Sequence, residues 1–225
     1  MKLKKATMER SYDLIVFDWD GTLMDSTALI VRAIQAASAD LGLRVPTREQ
    51  ASYVIGMGLA EALHAAVPEL DPADYPRLVE RYRIHYLSGD QDLVLFDGVE
   101  TLLRDLRAQG RTLAVATGKS RAGLDRALGA SGLGEYFHST RTADETFSKP
   151  NPTMLLELMD ELVTEPARTV MVGDTTHDLL MAQNAGTASI GVSFGAHPVE
   201  DLASLSPRAV LHSIPELAEW LTQNG

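Results

Sequence analysis

Three short apolar segments constrain the fold of this chain more than any other feature. They occupy residues 14–17, 112–116 and 169–172, are rich in β-branched residues, and each ends at a turn residue or a carboxylate. Short uninterrupted apolar runs are typical of strands that are buried on both faces, as in a parallel sheet covered by helices. We therefore predict that these segments form the centre of such a sheet.

Helical patterns separate the strand candidates. Apolar residues recur at helical spacing, and glycines follow two of the segments at Gly110 and Gly186. The helical segments of this kind are residues 99–109, 152–162 and 177–185. Weaker strand candidates are residues 136–140, 188–192 and 209–211. Strands that alternate with helices predict an α/β fold with a Rossmann-like parallel-sheet core.

The stretch between residues 27 and 95 contains no strand pattern. Its helical candidates are residues 27–41, 59–67 and 75–87, and Thr47 and Gln50 have the spacing of a capping box. Turn residues lie at both ends of the stretch. We therefore predict an inserted α-helical cap domain over residues 27–95, and a catalytic core made of residues 1–26 plus 96–225.

Charge and composition exclude several classes of protein. There are 20 Lys and Arg against 31 Asp and Glu, a formal net charge of −11, which argues against a nucleic-acid partner. Apolar runs are too short for a membrane span, and no signal-peptide core follows the basic start. The absence of cysteine excludes disulfides and thiolate metal sites. We expect a cytoplasmic protein, a monomer or a homodimer, that does not bind membranes.

Carboxylates follow the first and third central strands. Asp18 and Asp20 come directly after the first strand, and Asp174 and Asp178 follow the third. Ligands bind at the carboxyl ends of strands in open parallel sheets, so these acids are expected in one pocket. Clustered carboxylates repel each other unless a cation or a shared proton relieves them. Taken singly, each acid is also explained as a loop cap or as a partner of a helix dipole.

The second strand is followed by Thr117-Gly118-Lys119-Ser120, which is similar to the end of a P-loop. A P-loop needs a glycine at position 113, where this chain has leucine, so that interpretation fails. A hydroxyl and free backbone N–H groups remain, at a turn that suits either an anion site or an ordinary helix cap.

Lysines are rare in this chain. There are five, at positions 2, 4, 5, 119 and 149, and only Lys119 and Lys149 lie in loops next to predicted strands and helices. Lys149 precedes Pro150 in a turn ahead of a helix. A lone lysine is most often a solvated surface residue, but three of the five lie near the N-terminus, which makes the two in strand-end loops notable.

The four motifs occur in a fixed order: Asp-x-Asp-Gly-Thr at 18–22, Thr117, Lys149-Pro150, and Gly-Asp-x-x-x-Asp at 173–178. In this order they resemble the haloacid dehalogenase-like (HAD) superfamily, in the branch whose helical cap lies between the first two motifs. The resemblance covers residues 12–222 and is strongest with enzymes of the phosphoglycolate phosphatase type. It implies a phosphatase.

The resemblance also implies a role for each motif residue. Asp18 would be the nucleophile that forms an aspartyl-phosphate, and Asp20 would act as general acid and then general base. Thr117 and the Gly118 amide would bind phosphoryl oxygens. Lys149 would be both catalytic and substrate-binding, because it would neutralise charge on the nucleophile and the phosphate.

A Mg²⁺ cofactor is the further implication of the resemblance. Asp18, the backbone carbonyl of Asp20, and Asp174 would ligate the ion, and Asp178 would support the ligands. Mg²⁺ prefers a few carboxylates together with waters and a substrate phosphate. Four carboxylates and one lysine cannot hold a phosphate unaided, so a cation makes the site chemically workable.

The substrate is expected to be a small phosphorylated metabolite, with 2-phosphoglycolate ranked first. Alternatives are a broad-specificity sugar-phosphate or nucleotide phosphatase, a pyrophosphatase, and then a β-phosphoglucomutase-like mutase. Asp20 argues against the dehalogenases, and the lack of lysine in residues 27–95 argues against the phosphonate-cleaving members. The loop 54–59 has no Lys or Arg, which favours a phosphatase over a mutase.

A hypothesis from a different class is a non-catalytic receiver-like module that binds Mg²⁺ and phosphate. Receivers carry their acidic pair before the phospho-accepting Asp and their lysine last, an order that differs from this chain. Two questions stay open: whether the Gly56-Met57-Gly58 loop or His197 contacts substrate. His177 is expected to be a surface or supporting residue rather than a metal ligand.

Overall fold

The computed structural model of the chain describes residues 11–224, so the basic start lies outside the described residues. Within this range, six strands form one parallel sheet with the spatial order β3-β2-β1-β4-β5-β6. The strands are Leu14–Phe17 (β1), Thr112–Thr117 (β2), Ser139–Thr142 (β3), Thr169–Gly173 (β4), Ala188–Val192 (β5) and Val210–Leu211 (β6). The predicted α/β class and the Rossmann-like sheet are confirmed.

The register of the sheet brings three strand ends together. Phe17, the last residue of β1, lies opposite Val115 of β2 and Val172 of β4. The residues that follow therefore leave the sheet at one edge, where the sequence places its motifs.

Strand β3 begins later than predicted, because Leu133–Tyr136 forms a 3-10 turn.

The first four helices after β1 form a helical unit, which we call the insert. They are Thr27–Asp40 (α1), Arg48–Tyr53 (α2), Leu59–Ala66 (α3) and Tyr75–Gly89 (α4). The predicted capping box is confirmed, since the Thr47 side chain accepts from Gln50 N and the Gln50 side chain accepts from Thr47 N. The insert has an apolar core of its own, in which Ala37, Leu63 and Leu78 are fully buried.

The two connections between the insert and the sheet run side by side. Asp25 N donates a hydrogen bond to Val94 O at 3.0 Å, and Phe96 N donates to Leu23 O at 3.1 Å. The chain therefore leaves and re-enters the sheet at one narrow place. The division into a cap over 27–95 and a core of 1–26 plus 96–225 is compatible with this pairing and stays a prediction.

Helices cover both faces of the sheet. They are Val99–Ala108 (α5), Arg121–Ser131 (α6), Thr153–Glu161 (α7), Thr176–Ala185 (α8), Val199–Ser204 (α9) and Ile214–Asn224 (α10). Side chains alternate along β1, so Phe17 packs on one face with Leu103 while Val16 packs on the other with Met181. No helix within residues 11–224 is long and apolar enough to cross a membrane.

Candidate active site

The predicted motif residues meet at the carboxyl edge of the sheet. Asp18 follows β1 and its backbone N–H still donates to Val172 O of β4 at 2.9 Å, which holds the residue in line with the strands. Thr117 ends β2, and Asp174 follows β4. All three side chains are buried, and so is Lys149. The structure thus brings residues from four separate parts of the sequence into one place.

Three carboxylates form a compact buried group. Oxygen atoms of Asp18, Asp174 and Asp178 all lie within 4.8 Å of one another. Burial raises the pKa of Asp18, Lys149 opposes the shift and the neighbouring Asp178 adds to it, which together place the pKa at about 7. Burial also raises the pKa of Asp174 well above its ordinary value, with Asp18 and then Asp178 adding to the shift. Negative charge is therefore concentrated here beyond what one lysine balances.

Lys149 lies between two of these carboxylates. Its Nζ donates hydrogen bonds to Asp18 Oδ1 and to Asp178 Oδ1, each at 2.6 Å, and all three side chains are buried. Burial opposes the charged form of the lysine, but Asp178 and Asp18 together raise the pKa of Lys149 above its usual value. The lysine is therefore a fixed cation that holds the Asp18 carboxylate in one orientation.

Asp174 is fixed by two donors. Thr22 Oγ1 donates to its Oδ1 at 2.9 Å, and the Ala196 backbone N–H donates to its Oδ2 at 2.7 Å. Gly21 has a φ of 80°, and a Cβ at this position would overlap the Asp174 carboxylate. Glycine is therefore required here both for the turn and for space. The sequence motif Asp-x-Asp-Gly-Thr thus supplies a donor and a close approach in addition to its acids.

Asp178 reaches the group through helix capping. Helix α8 begins after Thr175, whose N–H and Oγ1 donate to Asp178 Oδ2 at 3.1 and 2.7 Å. Asp174 precedes this cap and so lies outside the helix. The two acids meet because the capping box turns Asp178 back over the helix start.

The buried carboxylates fit a divalent cation. Asp18 Oδ2 is buried and has no hydrogen-bond partner among residues 11–224. Carboxylate oxygens are the ligands that hard cations prefer, and a cation would relieve the repulsion among these buried acids. The group of Asp18, Asp174 and Asp178 is thus able to hold a metal ion.

Asp20 lies outside this three-carboxylate group and has different partners. Its Oδ1 accepts from Ser26 Oγ at 2.6 Å, and its Oδ2 forms an ion pair with Lys119 Nζ at 2.9 Å. Burial opposes the charge of Lys119, but Asp20 raises the pKa of the lysine above its ordinary value. The two acids of the first motif therefore face different cations, Asp18 facing Lys149 and Asp20 facing Lys119.

A cavity of about 590 Å³ lies between the insert and this edge of the sheet, a size typical of small-molecule sites. Its core wall includes Asp18, Asp20, Thr117, Gly118 and Lys119. Apolar residues of the insert line the opposite side: Ile30, Ile34, Val54, Ile55, Val79 and Leu87. Of the carboxylate group, Asp18 therefore lines this cavity, whereas Asp174, Asp178 and Lys149 do not.

The Gly56-Met57-Gly58 loop of the insert also lines the cavity. Gly58 N donates to Ser148 Oγ at 2.7 Å, and the backbone oxygens of Gly56 and Met57 lie where a Cβ on Gly118 would be. A side chain at position 118 would therefore push the loop away from the sheet. This contact brings the loop next to the predicted phosphoryl-binding residues.

His177 and His197 do not line the cavity. Both are buried, and their Nε2 atoms lie 2.8 and 3.1 Å from Tyr53 O at the end of α2. His197 Nδ1 accepts from Thr176 N at 3.1 Å, and burial followed by the proximity of His177 lowers the pKa of His197. The two histidines therefore hold the insert against the core. His177 is a supporting residue, as one of the two expected possibilities had it, and it is not at the surface.

Several residues near the site lack a clear sequence signal. Ser26 and Ala196 donate to motif acids, Ser148 accepts from the insert loop, and Tyr86 contacts Lys119. Thr22 belongs to the Asp-x-Asp-Gly-Thr motif, and its hydroxyl next to the acids is a usable signal. The others lie far along the chain from their partners or carry no distinctive pattern.

A Rossmann-like parallel sheet carries a buried carboxylate group and a lysine at its carboxyl edge, facing a helical insert, and this arrangement is typical of hydrolases that act on phosphate esters. The sequence model described as "Haloacid dehalogenase-like hydrolase" matches residues 15–192, and the chain belongs to this family. It is a HAD-family phosphatase.

Relatives of known name support this assignment. "Probable phosphatase IndB" of Dickeya dadantii is 39% identical over 91% of this chain and 91% of its own. "Phosphoglycolate phosphatase" of Agrobacterium fabrum is 32% identical over 94% and 95%, and "Pyrophosphatase PpaX" of Halalkalibacterium halodurans is 30% identical over 91% and 94%. The crystal structure of a hydrolase from Pseudomonas syringae superimposes on this chain with a TM-score of 0.85 at 22% identity. The superposition covers 93% of this chain and 97% of that one, and it shows that the two proteins share a fold.

Proposed function

We propose that this protein is a Mg²⁺-dependent phosphatase of a small phosphorylated metabolite, with 2-phosphoglycolate as the first substrate to test, and that it acts through an aspartyl-phosphate on Asp18. The observation that carries the proposal is the state of the Asp18 carboxylate. One oxygen is held by Lys149 at 2.6 Å, and the other has no hydrogen-bond partner among the described residues. The residue also lines the cavity.

In the first step, an Asp18 carboxylate oxygen attacks phosphorus, and the bond between phosphorus and the ester oxygen breaks. The electron pair of that bond stays on the ester oxygen, which takes a proton from Asp20 and leaves as an alcohol. Lys149 holds the nucleophile in place, and Thr117 with the Gly118 amide receives phosphoryl oxygens on the cavity wall.

In the second step, Asp20 takes a proton from a water molecule whose oxygen attacks phosphorus. The bond between phosphorus and Asp18 breaks, and its electron pair restores the Asp18 carboxylate as phosphate leaves. Mg²⁺ held by Asp18, Asp174 and the Asp20 backbone carbonyl would supply electrostatic stabilisation of the phosphoryl oxygens.

The cations of the cavity support an acidic small substrate. Arg83 of α4 and Arg126 of α6 line the cavity. A guanidinium matches a carboxylate in a bidentate geometry, and 2-phosphoglycolate carries one. The loop 54–59 faces the site without a Lys or Arg, which favours phosphatase over mutase chemistry.

Pyrophosphate hydrolysis is the second candidate. It is favoured by the 30% identical relative named "Pyrophosphatase PpaX", and the same arginines would receive a second phosphoryl group as well as a carboxylate.

The test is phosphate release from a panel of substrates in the presence of Mg²⁺: 2-phosphoglycolate, pyrophosphate, sugar phosphates and nucleoside monophosphates. We expect the highest kcat/KM with 2-phosphoglycolate, and a preference for pyrophosphate would select the second candidate. Asp18→Asn is expected to abolish release, whereas the matched change Asp105→Asn, at an exposed carboxylate of α5, is expected to leave it unchanged. Activity that survives in Asp18→Asn would remove Asp18 as the nucleophile.

A further inference from the structure

Lys119 connects the Asp20 carboxylate to the insert. Its Nζ lies 2.9 Å from Asp20 Oδ2 and also donates a hydrogen bond to the Tyr86 hydroxyl at 2.9 Å. The same ammonium lies 4.9 Å from the centroid of the Tyr86 ring, within cation–π range. Ser26 Oγ donates to the other oxygen of Asp20 at 2.6 Å. Both oxygens of Asp20 are therefore held, one of them by a lysine that the insert holds in turn.

The two lysines of residues 11–224 serve different acids. Lys149 is engaged by Asp18 and Asp178, each at 2.6 Å, whereas Lys119 is engaged by Asp20. Asp20 and Tyr86 are both buried, so water screens the interaction with Lys119 only weakly. The orientation of Asp20 thus depends on a contact from helix α4 that is independent of the group around Asp18.

We infer that Lys119 is a positioning residue for the hydrolysis step, and that Tyr86 makes its action depend on the insert lying against the core. This inference rests on the proposed function. In that step Asp20 takes the proton of the attacking water, the water oxygen bonds to phosphorus, and the bond to Asp18 breaks. Lys119 takes part in no bond change; it points the Asp20 carboxylate at the water.

The test uses p-nitrophenyl phosphate in a stopped-flow experiment. Nitrophenolate leaves without a proton, so formation of the aspartyl-phosphate does not need Asp20, whereas its hydrolysis does. The initial burst of nitrophenolate measures the first step, and the steady rate reports the second. For Lys119→Met we expect an unchanged burst rate constant and a steady rate per active site that falls about tenfold or more.

Two tyrosine variants complete the experiment. Tyr86→Phe keeps the charge of Lys119 but removes its hydrogen-bond acceptor, and is expected to raise the ratio of burst to steady rate constants by a smaller factor. Tyr75→Phe is the matched control, because it removes a buried hydroxyl of the same helix. That hydroxyl donates to Val67 O at 2.8 Å, within the insert. Its ratio is expected to equal that of the wild type. Burst amplitudes count active sites, so partial unfolding does not imitate the effect.

Two results would overturn the inference. If the burst and steady rate constants of Lys119→Met fall together, the lysine acts in binding or phosphorylation. If neither changes, it has no role in the reaction. If the wild type turns over substrate and the ratio of burst to steady rate constants is unchanged in Lys119→Met, only this inference fails. If the wild type hydrolyses none of the phosphate esters, the proposed function fails as well.

Discussion

Removal of the Lys149 charge is expected to destabilise the protein strongly. The ammonium is buried and lies 2.6 Å from both Asp18 and Asp178. Lys149→Met keeps most of the side-chain length and leaves two buried carboxylates without their shared cation. Loss of one partner of a buried ion pair costs about 3–5 kcal/mol. Because domains are stable by only about 5–15 kcal/mol, we expect a large fall in the free energy of unfolding without metal at about pH 8.

The size of this loss is expected to depend on pH. Burial raises the pKa of Asp18 to about 7 in the folded protein from an ordinary value of 3.8. The folded state therefore prefers the protonated acid, and stability falls as the pH rises from about 4 to about 7. Lys149 opposes this shift, so the pKa of Asp18 lies higher in the variant and the loss of stability continues to a higher pH than in the wild type. The difference between the two proteins is thus expected to be larger at about pH 8 than at about pH 5.

Urea unfolding followed by circular dichroism, with a chelator present, measures both quantities. The control is Arg77→Met, which removes an exposed ion pair with Asp74 at 3.4 Å and is expected to cost about 1 kcal/mol or less. Mg²⁺ is expected to restore part of the stability of Lys149→Met, because the ion supplies positive charge to the same carboxylates. A loss no larger than that of the control, or a loss that is greater at the lower pH, would refute the reasoning.

Three further predictions concern the insert loop and the metal ligands. Gly118→Ala is expected to lower kcat/KM about tenfold or more, because the added Cβ displaces the loop, while Gly129→Ala, which meets no atom within 4 Å, is expected to leave steady-state kinetics unchanged. The rise in melting temperature on adding Mg²⁺ is expected to be larger at about pH 8 than at about pH 5, because Asp18 must lose its proton to bind the ion. An equal rise at the two pH values would contradict this prediction. Thr22→Val removes the 2.9 Å hydrogen bond to Asp174. The apparent Mg²⁺ affinity, measured by titrating activity with Mg²⁺, is expected to weaken by about tenfold or more. An unchanged affinity would show that this hydrogen bond does not support metal binding.

The parts of the fold that follow from local sequence were predictable. The apolar run of β1 and the carboxylate that ends it identify both a central strand and its exit to the site. The capping box at Thr47 and Gln50 identifies the start of α2 in the same way. Asp18 and Asp174 come together because neighbouring parallel strands end at one edge, which is a property of the fold class.

Contacts between distant segments were not predictable from these patterns. The sequence marks Lys119 as unusual, but nothing local connects it with Tyr86, 33 residues earlier, because the packing of α4 on the sheet decides that contact. Asp178 meets the other acids through a capping box with Thr175, because α8 begins only at Thr176, after Asp174. His177 is buried because the end of α2 covers it, which its own helix does not reveal.

The central claim is that the phosphoryl group passes through the Asp18 carboxylate. The most direct measurement mixes the protein with Mg²⁺ and a substrate radiolabelled in its phosphoryl group, quenches within milliseconds in acid, and maps the label after proteolysis. We predict label on the peptide that contains Asp18, as an acyl phosphate that hydroxylamine removes, and no label in Asp18→Asn. Turnover of the substrate with the label on another residue would contradict the claim, as would undiminished turnover by Asp18→Asn.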